Sequence, residues 1–384
     1  MDENDRREHG NIHRNAADAS TPAGGSDTTQ TFGHDSDLSF VPFGSELTEA
    51  ELEAIGSLPS RSALLMVRSG PTAGARYLLD SDVATIGRHP EADIFFLIGG
   101  TQTNQTVIDA LLLGCEGVIA AESAHINVHE SGAIEAYGHK VLVIPSEGSK
   151  LTAKGIDRYM SAFLADETYP HMVLPRMVYI TMPTELGMLY TKQEIEDIQE
   201  VCRRYDLLLY ADGARLGYGL TSSQSDITLP WLAQHVDAFY IGGTKVGAMF
   251  GEAVVFSNIK APRAFFTTVK RHGALLAKGR MLGIQFDTLF TDNLYLRVAR
   301  HANEMAERLR DIFISHGIQM GVDSPTNQQF VVLTPQEKEQ LMESIAFEVW
   351  SPLPDGNILC RFVTSWATTE EDLEALDKAL AGLA

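Results

Sequence analysis

A rhythm that begins near residue 92 constrains this chain more than any other feature. Short apolar runs at Ile94–Ile98, Gly117–Ala121, Lys140–Ile144, Met177–Thr181, Leu207–Ala211 and Ala238–Ile241 alternate with helix-like stretches such as Gln105–Leu113 and Lys192–Tyr205. A continuous apolar run implies a strand covered on both faces, and such strands alternating with helices imply a mainly parallel sheet between helical layers. After Phe256 the pattern turns helical, notably over Met281–Leu309. Gln329–Leu333, Ile358–Thr364 and a helix over Glu370–Leu383 then read as a small α+β domain. The expected fold is α/β, with a large mainly parallel domain and a small C-terminal one.

Composition narrows the chemistry. No apolar run approaches the roughly 18 residues of a membrane-spanning helix, and the polar, charged N-terminus is unlike a secretory signal. Cys115, Cys202 and Cys360 are scattered without a CxxC pair, as expected for reduced thiols in the cytoplasm and not for a disulfide framework or a metal site. A formal charge of -21 argues against nucleic acid as a partner. Residues 1–56 hold 12 acidic and 3 basic side chains, so nine of those excess charges sit there. That segment lacks apolar periodicity and is expected to be a disordered acidic tail.

The stretch Ala238–Phe256 places two apolar runs around a glycine-rich turn that carries Lys245. Small residues let backbone approach a ligand, and dry walls lower the pKa of an amine, making it a nucleophile. Such a lysine is what an enzyme needs to hold pyridoxal phosphate as a Schiff base; its plainer reading is a solvated loop residue. Three other stretches supply what the same cofactor requires. Gly99, Gly100 and Thr101 join a strand to a helix start, where free N–H groups favour phosphate, although such a turn also serves structure alone. Asp212 ends an apolar run and suits a protonated ring nitrogen, or else caps a helix. His125 offers a flat group to stack on the ring, or a structural histidine. Arg361 suits a substrate carboxylate, or a surface salt bridge.

Taken together, Gly-Gly-Thr-Gln-Thr-Asn, Ala-His-Ile, Asp-Gly-Ala-Arg, Gly-Gly-Thr-Lys, Ala-Lys-Gly-Arg-Met-Leu-Gly-Ile-Gln and Arg-Phe-Val-Thr resemble the threonine aldolase and β-eliminating lyase group of fold-type I pyridoxal-phosphate enzymes. The resemblance runs from about Ala92 to the end. It implies an aspartate aminotransferase-like large domain over 96–257, incomplete at its N-terminal side, and a helical connection with a small domain over 258–384. By the same resemblance Lys245 carries the cofactor, Asp212 pairs with its ring nitrogen, His125 stacks, and Gly100 and Thr101 hold phosphate. Arg215 and Arg361 would hold anionic groups of cofactor and substrate, and Lys278 to Arg280 would lie near the phosphate or a partner subunit. A histidine found near the substrate hydroxyl in several aldolases has no counterpart here; Glu185, in that stretch, would stand in as a polar contact to the substrate. The implied reaction cleaves a 3-hydroxy amino acid at Cα–Cβ, with β-elimination or transamination as alternatives, in a homodimer or homotetramer.

Ahead of it, strand-like runs at Ala63–Arg68, Ala75–Leu79 and Ala84–Ile86 lead into Gly-Arg-His-Pro-Glu-Ala-Asp-Ile. Residues 57–95 resemble the first part of a forkhead-associated domain, a phosphothreonine-binding β-sandwich. That resemblance implies Thr28 or Thr29 as the target of a Ser/Thr kinase and Arg88 as a phosphate contact. It also offers a regulatory binding protein as the competing function. The stretch stops before the Ser-Arg-x-His motif and most of the strands of such a domain.

Overall fold

The computed structural model describes residues 63–66, 76–79 and 93–383. They belong to two units, Met1–Asp82 and Val83–Ala384. In the first, β1 (Ala63–Met66) and β2 (Arg76–Leu79) form an antiparallel pair that sets Ala63 opposite Leu79. The tail with Thr28 and Thr29, the run Ala84–Ile86, and Arg88 lie outside the described residues.

In the second unit, β3 (Asp93–Leu97), β4 (Glu116–Ala121), β5 (Lys140–Ile144), β6 (Leu174–Thr181), β7 (Leu208–Asp212), β8 (Ala238–Gly242) and β9 (Glu252–Phe256) form one sheet. Its order is β3-β9-β8-β7-β6-β4-β5. Pairs from β5 through β8 are parallel, whereas β9 runs antiparallel to both β8 and β3. Six strands therefore end on one edge of the sheet, where β9 begins, and that edge is where open α/β sheets bind ligands. Every residue of β8 and β9 is buried, as continuous apolar runs demand.

Helices α1 (Gly100–Leu111), α2 (His125–Val128), α3 (Ala153–Ala165), α4 (Lys192–Arg204), α5 (Leu216–Thr221), α6 (Leu229–His235), α7 (Phe265–Arg271) and α8 (Arg280–Phe290) accompany this sheet. α4 shows how local sequence sets an element. A capping box between Thr191 and Glu194 starts it, Arg203 and Arg204 oppose the dipole at its end, and Ile195, Ile198, Val201 and Cys202 bury one face. The 22-residue α9 (Leu294–Ser315) joins the domains: Tyr295, Ala299 and Ala302 pack in the large core, and Met305, Leu309 and Phe313 in the small one. The small domain adds β10 (Gln319–Val322), β11 (Gln328–Leu333), α10 (Pro335–Met342), β12 (Glu348–Pro352), β13 (Ile358–Val363) and α11 (Glu370–Ala381). Its antiparallel sheet has the order β10-β11-β13-β12.

Three local expectations are revised. The run at Ile94 is an edge strand with two of its five residues buried, and β3 straddles the boundary expected between residues 95 and 96. α1 starts at Gly100 and not Gln105, so Gly100 and Thr101 are its first turn. The helical stretch Met281–Leu309 breaks at Asp292 and Asn293. Both take left-handed backbone (φ 49° and 55°), which short polar side chains tolerate better than others.

Candidate active site

Close backbone packing brings the ends of β7 and β8 together. A Cβ on Gly213 would lie 1.8 Å from the Tyr240 carbonyl oxygen, and one on Gly242 would lie 2.4 Å from that of Ala214. Only glycine permits this approach. It lets the Gly242 N–H donate to the Gly213 carbonyl at 2.9 Å. Tyr295 of α9 fastens the same corner: its hydroxyl donates to the Gly242 carbonyl at 3.0 Å and accepts from the Gly217 N–H at 2.9 Å. The turn bearing Lys245 is thereby set against the turn that follows Asp212, although 33 residues (245 − 212) separate them.

Asp212 is 1% exposed. Its Oδ1 accepts from the Ala214 N–H at 2.9 Å and from the Tyr240 hydroxyl. Its Oδ2 accepts from Asn104 Nδ2 at 2.9 Å and from the Tyr179 hydroxyl. An ionised carboxylate offers about four acceptor positions, and four donors fill them here. The network continues outward. Asn104 Nδ2 also donates to Glu130 Oε1 at 2.8 Å, and that oxygen lies 2.7 Å from His125 Nδ1. A carboxylate partner makes Nδ1 the protonated nitrogen and leaves Nε2 outside this contact.

Lys245 lies on the 3₁₀ turn Thr244–Val246 and keeps part of its surface exposed. Desolvation by the surrounding protein, then the charge of Arg215, lower its pKa to about 8. Asp212 and Glu252 pull the other way, and Arg361 adds to the lowering. At pH 7 an amine of pKa 8 is neutral about one time in eleven, against about one in three thousand at 10.5. The cofactor-free chain should therefore label Lys245 with an amine-directed reagent at a rate that climbs through pH 7 and levels off above about 8. Peptide mapping across pH checks this, and a midpoint near 10.5 would place the amine in bulk water.

The other expected residues fall into two groups. Arg215, at the start of α5, has no hydrogen-bond or ion-pair partner for its guanidinium among the described residues, and burial followed by Arg361 lowers its pKa. Glu185 is buried, which raises its pKa. Its Oε1 accepts from the His125 N–H at 3.0 Å and the Thr181 hydroxyl at 2.8 Å, while Oε2 has no partner. Arg361 of β13 is engaged: it donates to Gln328 Oε1 at 2.9 Å, pairs with Glu348 and stacks over Trp350 at 4.7 Å, which leaves a buried Nε unmatched. Gly100 and Thr101 open α1 behind Gly99, which provides no side-chain cap, so the first N–H groups are unclaimed by a cap. Lys278 and Arg280 are exposed.

Several polar residues here escaped the sequence reading. Asn104, Glu130, Tyr179, Tyr240 and Glu252 are all buried. Glu252 accepts from the Thr244 hydroxyl at 3.0 Å, leaves Oε2 unpaired, and is pushed up to about 8 by burial. An acid heading the apolar run Glu252–Phe256 was one available signal. Asn104, four residues after Gly100, lies on the inward face of α1 only because that helix starts at Gly100, so the sequence carried no such signal for it.

A mainly parallel sheet with a lysine and a buried aspartate at its strand ends, joined to a small antiparallel domain, defines the fold-type I class of pyridoxal-phosphate enzymes. Within that class the chain belongs to the β-eliminating lyase family, whose family model matches residues 83–336. It is 32% identical over 294 residues to a low-specificity L-threonine aldolase of a Pseudomonas strain, covering 74% of this chain and 82% of that protein. The solved structure of Leishmania major threonine aldolase superposes with a TM-score of 0.73 at 41% identity, over 77% of this chain and 86% of that one. The chain is thus a threonine aldolase-like lyase. Its N-terminal part carries a separate short match, 52% identical over 48 residues, to the glycogen accumulation regulator GarA of Mycolicibacterium smegmatis. That match spans 12% of this chain and 30% of the regulator.

Proposed function

We propose that this chain binds pyridoxal phosphate and cleaves the Cα–Cβ bond of a 3-hydroxy amino acid such as threonine, releasing glycine and an aldehyde. The observation that carries the reading is the convergence of an amine of lowered pKa, Lys245, with the buried Asp212 and the Arg215 guanidinium, unpartnered among the described residues, at one end of the sheet's strands. These residues fit the cofactor. Lys245 Nζ would hold its aldehyde carbon, and Gly100, Thr101 and Arg215 would hold phosphate. Asp212 would hold the ring nitrogen by exchanging a neutral tyrosine hydroxyl for a charged donor, which binds a carboxylate roughly twice as strongly.

The bound cofactor supplies an electron sink for the pair left at Cα. The chain's own residues set the geometry. Arg361 orients the substrate carboxylate, with its buried Nε as the free donor and Glu348 and Trp350 holding its plane. Fixing that carboxylate turns the Cα–Cβ bond, and not another, toward cleavage. Aldehyde formation requires the 3-hydroxyl to lose its proton, and Glu185 Oε2, buried and without a partner, is the acceptor in this reading. Water is kept from the floor by the packed tyrosines of β6, β7 and β8.

Assembly as a homodimer or homotetramer belongs to the same reading. Met249 (84% exposed), Met281 and Trp366 are large apolar side chains left at the surface around the lysine loop. Gln285, in the turn of α8 after Met281, accepts from the Met249 N–H at 2.7 Å, and Gly247 faces the Trp366 ring. Such a patch marks a protein–protein surface.

Incubation with pyridoxal phosphate and threonine tests the proposal directly. Glycine and acetaldehyde should form in equal amounts, and Arg361→Ala should raise KM by at least about tenfold through loss of a charge-assisted hydrogen bond. A cofactor-loaded protein that turns over no 3-hydroxy amino acid would overturn it.

A further inference from the structure

We infer that Asn104 is a positioning residue whose side-chain amide clamps Asp212 and Glu130, and through Glu130 also His125, into one hydrogen-bonded relay beneath the site. The inference rests on the proposed cofactor site and deepens it. A single nitrogen, Asn104 Nδ2, spends its two hydrogens on two different carboxylates, at 2.9 Å to Asp212 Oδ2 and 2.8 Å to Glu130 Oε1. The amide cannot turn over without loss, because the Tyr210 hydroxyl donates to Asn104 Oδ1 at 3.0 Å. The group is enclosed throughout: Asn104 is 0%, Asp212 1%, Tyr210 1% and Glu130 4% exposed.

Two carboxylates sharing a buried space cannot both ionise unless donors stand between them. Asn104 is that donor, reached by both. Other charged or titratable groups border the pair from every side: His125 on α2, Tyr179 on β6, Glu185 beyond it, Tyr210 on β7, Tyr240 on β8, Glu252 on β9, and Lys245 and Arg215 on their turns. Glu130 keeps Oε2 without a partner, so among the described residues its side chain is held by His125 and Asn104 on Oε1 alone. Removing the amide would take away the donor that both carboxylates share. The charge under the ring nitrogen and the orientation of the stacking histidine would then change together.

The experiment compares the full-length chain with its Asn104→Ala, Tyr210→Phe and Glu130→Gln variants, each loaded with pyridoxal phosphate. Asn104→Ala should move the midpoint of the pH titration of the bound cofactor's visible band by about one unit or more. It should also lower kcat about 100-fold while KM stays within about threefold. Tyr210→Phe, which only frees the amide to turn, should move both in the same direction by a smaller amount. Asn104→Ala with the parent's titration and kcat would overturn the inference. Should Asn104→Ala fail to fold, Tyr210→Phe indistinguishable from the parent in both readouts would do the same. A parent that binds no cofactor would instead defeat the proposed function. The clamp is then read in the cofactor-free chain by a urea double-mutant cycle of Asn104→Ala and Glu130→Gln, where non-additive losses support it and additive losses overturn it.

Discussion

Lys245→Ala is expected to abolish covalent attachment of pyridoxal phosphate and to lower turnover by at least about 1,000-fold, the scale on which a covalent nucleophile's removal is felt. The loss should be chemical and not structural. Lys245 keeps part of its surface exposed, and the turn that carries it is held through its backbone groups: the Tyr218 hydroxyl donates to the Lys245 carbonyl, and the Val246 N–H to the Gly243 carbonyl at 2.8 Å. Melting temperature without cofactor should therefore stay within a few degrees of the parent. Borohydride reduction followed by peptide mapping gives the decisive readout. The parent should be labelled at Lys245 and the variant nowhere. Label at another lysine, or undiminished threonine cleavage by the variant, would remove Lys245 from the role proposed for it.

Asp212→Asn should leave the cofactor attached to Lys245 and cut kcat by about 100-fold or more, because a neutral amide cannot keep the ring nitrogen protonated. The structure adds a cost in stability. All four partners of Asp212 are donors, and two of them, the Ala214 N–H and Asn104 Nδ2, cannot reverse their roles while Asn104 serves Glu130. An amide placed here keeps its oxygen for one side and turns an N–H toward a donor on the other. Facing a buried donor with another donor costs about 1–3 kcal/mol. Urea unfolding of the cofactor-free variant should show a loss of that size, since the penalty arises in the protein alone. Parent-like turnover on a confirmed substrate would refute the assignment of Asp212. Unchanged stability would refute the hydrogen-bond account while leaving the chemical one intact.

Position along the chain made the strand-end residues legible. Lys245 and Asp212 stand where apolar runs give way to glycine, and that local pattern needs no knowledge of neighbours. The helix at Lys192 was equally readable, because Thr191 and Glu194 form its cap within four residues. The glycine-rich turn around Lys245 could be read as a place of close backbone approach, but not which backbones approach. The β3 strand shows the limit: Ile94–Ile98 looks like an interior strand, yet the sheet places it on the edge, paired with β9 from about 160 residues away.

Local periodicity and residue type were sufficient for the α/β class, the small C-terminal domain and the segments that carry Lys245, Asp212, His125 and Gly100. Those properties arise from interactions between residues near in sequence, so they are written in short windows of it. The polar network had to wait for the folded chain. Asn104 meets Asp212 across 108 positions and Glu130 across 26, and nothing in a helix beginning Gly-Thr-Gln-Thr-Asn announces either contact. Strand order decides them: α1 joins β3 at one edge of the sheet to β4, and β9, β8, β7 and β6 lie between those two strands, so β7 lies on its path. The same holds for Arg361. In the sequence it is one arginine on a late strand; in the fold, Glu348, Gln328 and Trp350 hold three sides of its guanidinium, and one buried Nε is left over. Whether a polar side chain is paired or bare depends on what surrounds it in space, and that is a property of the packed structure.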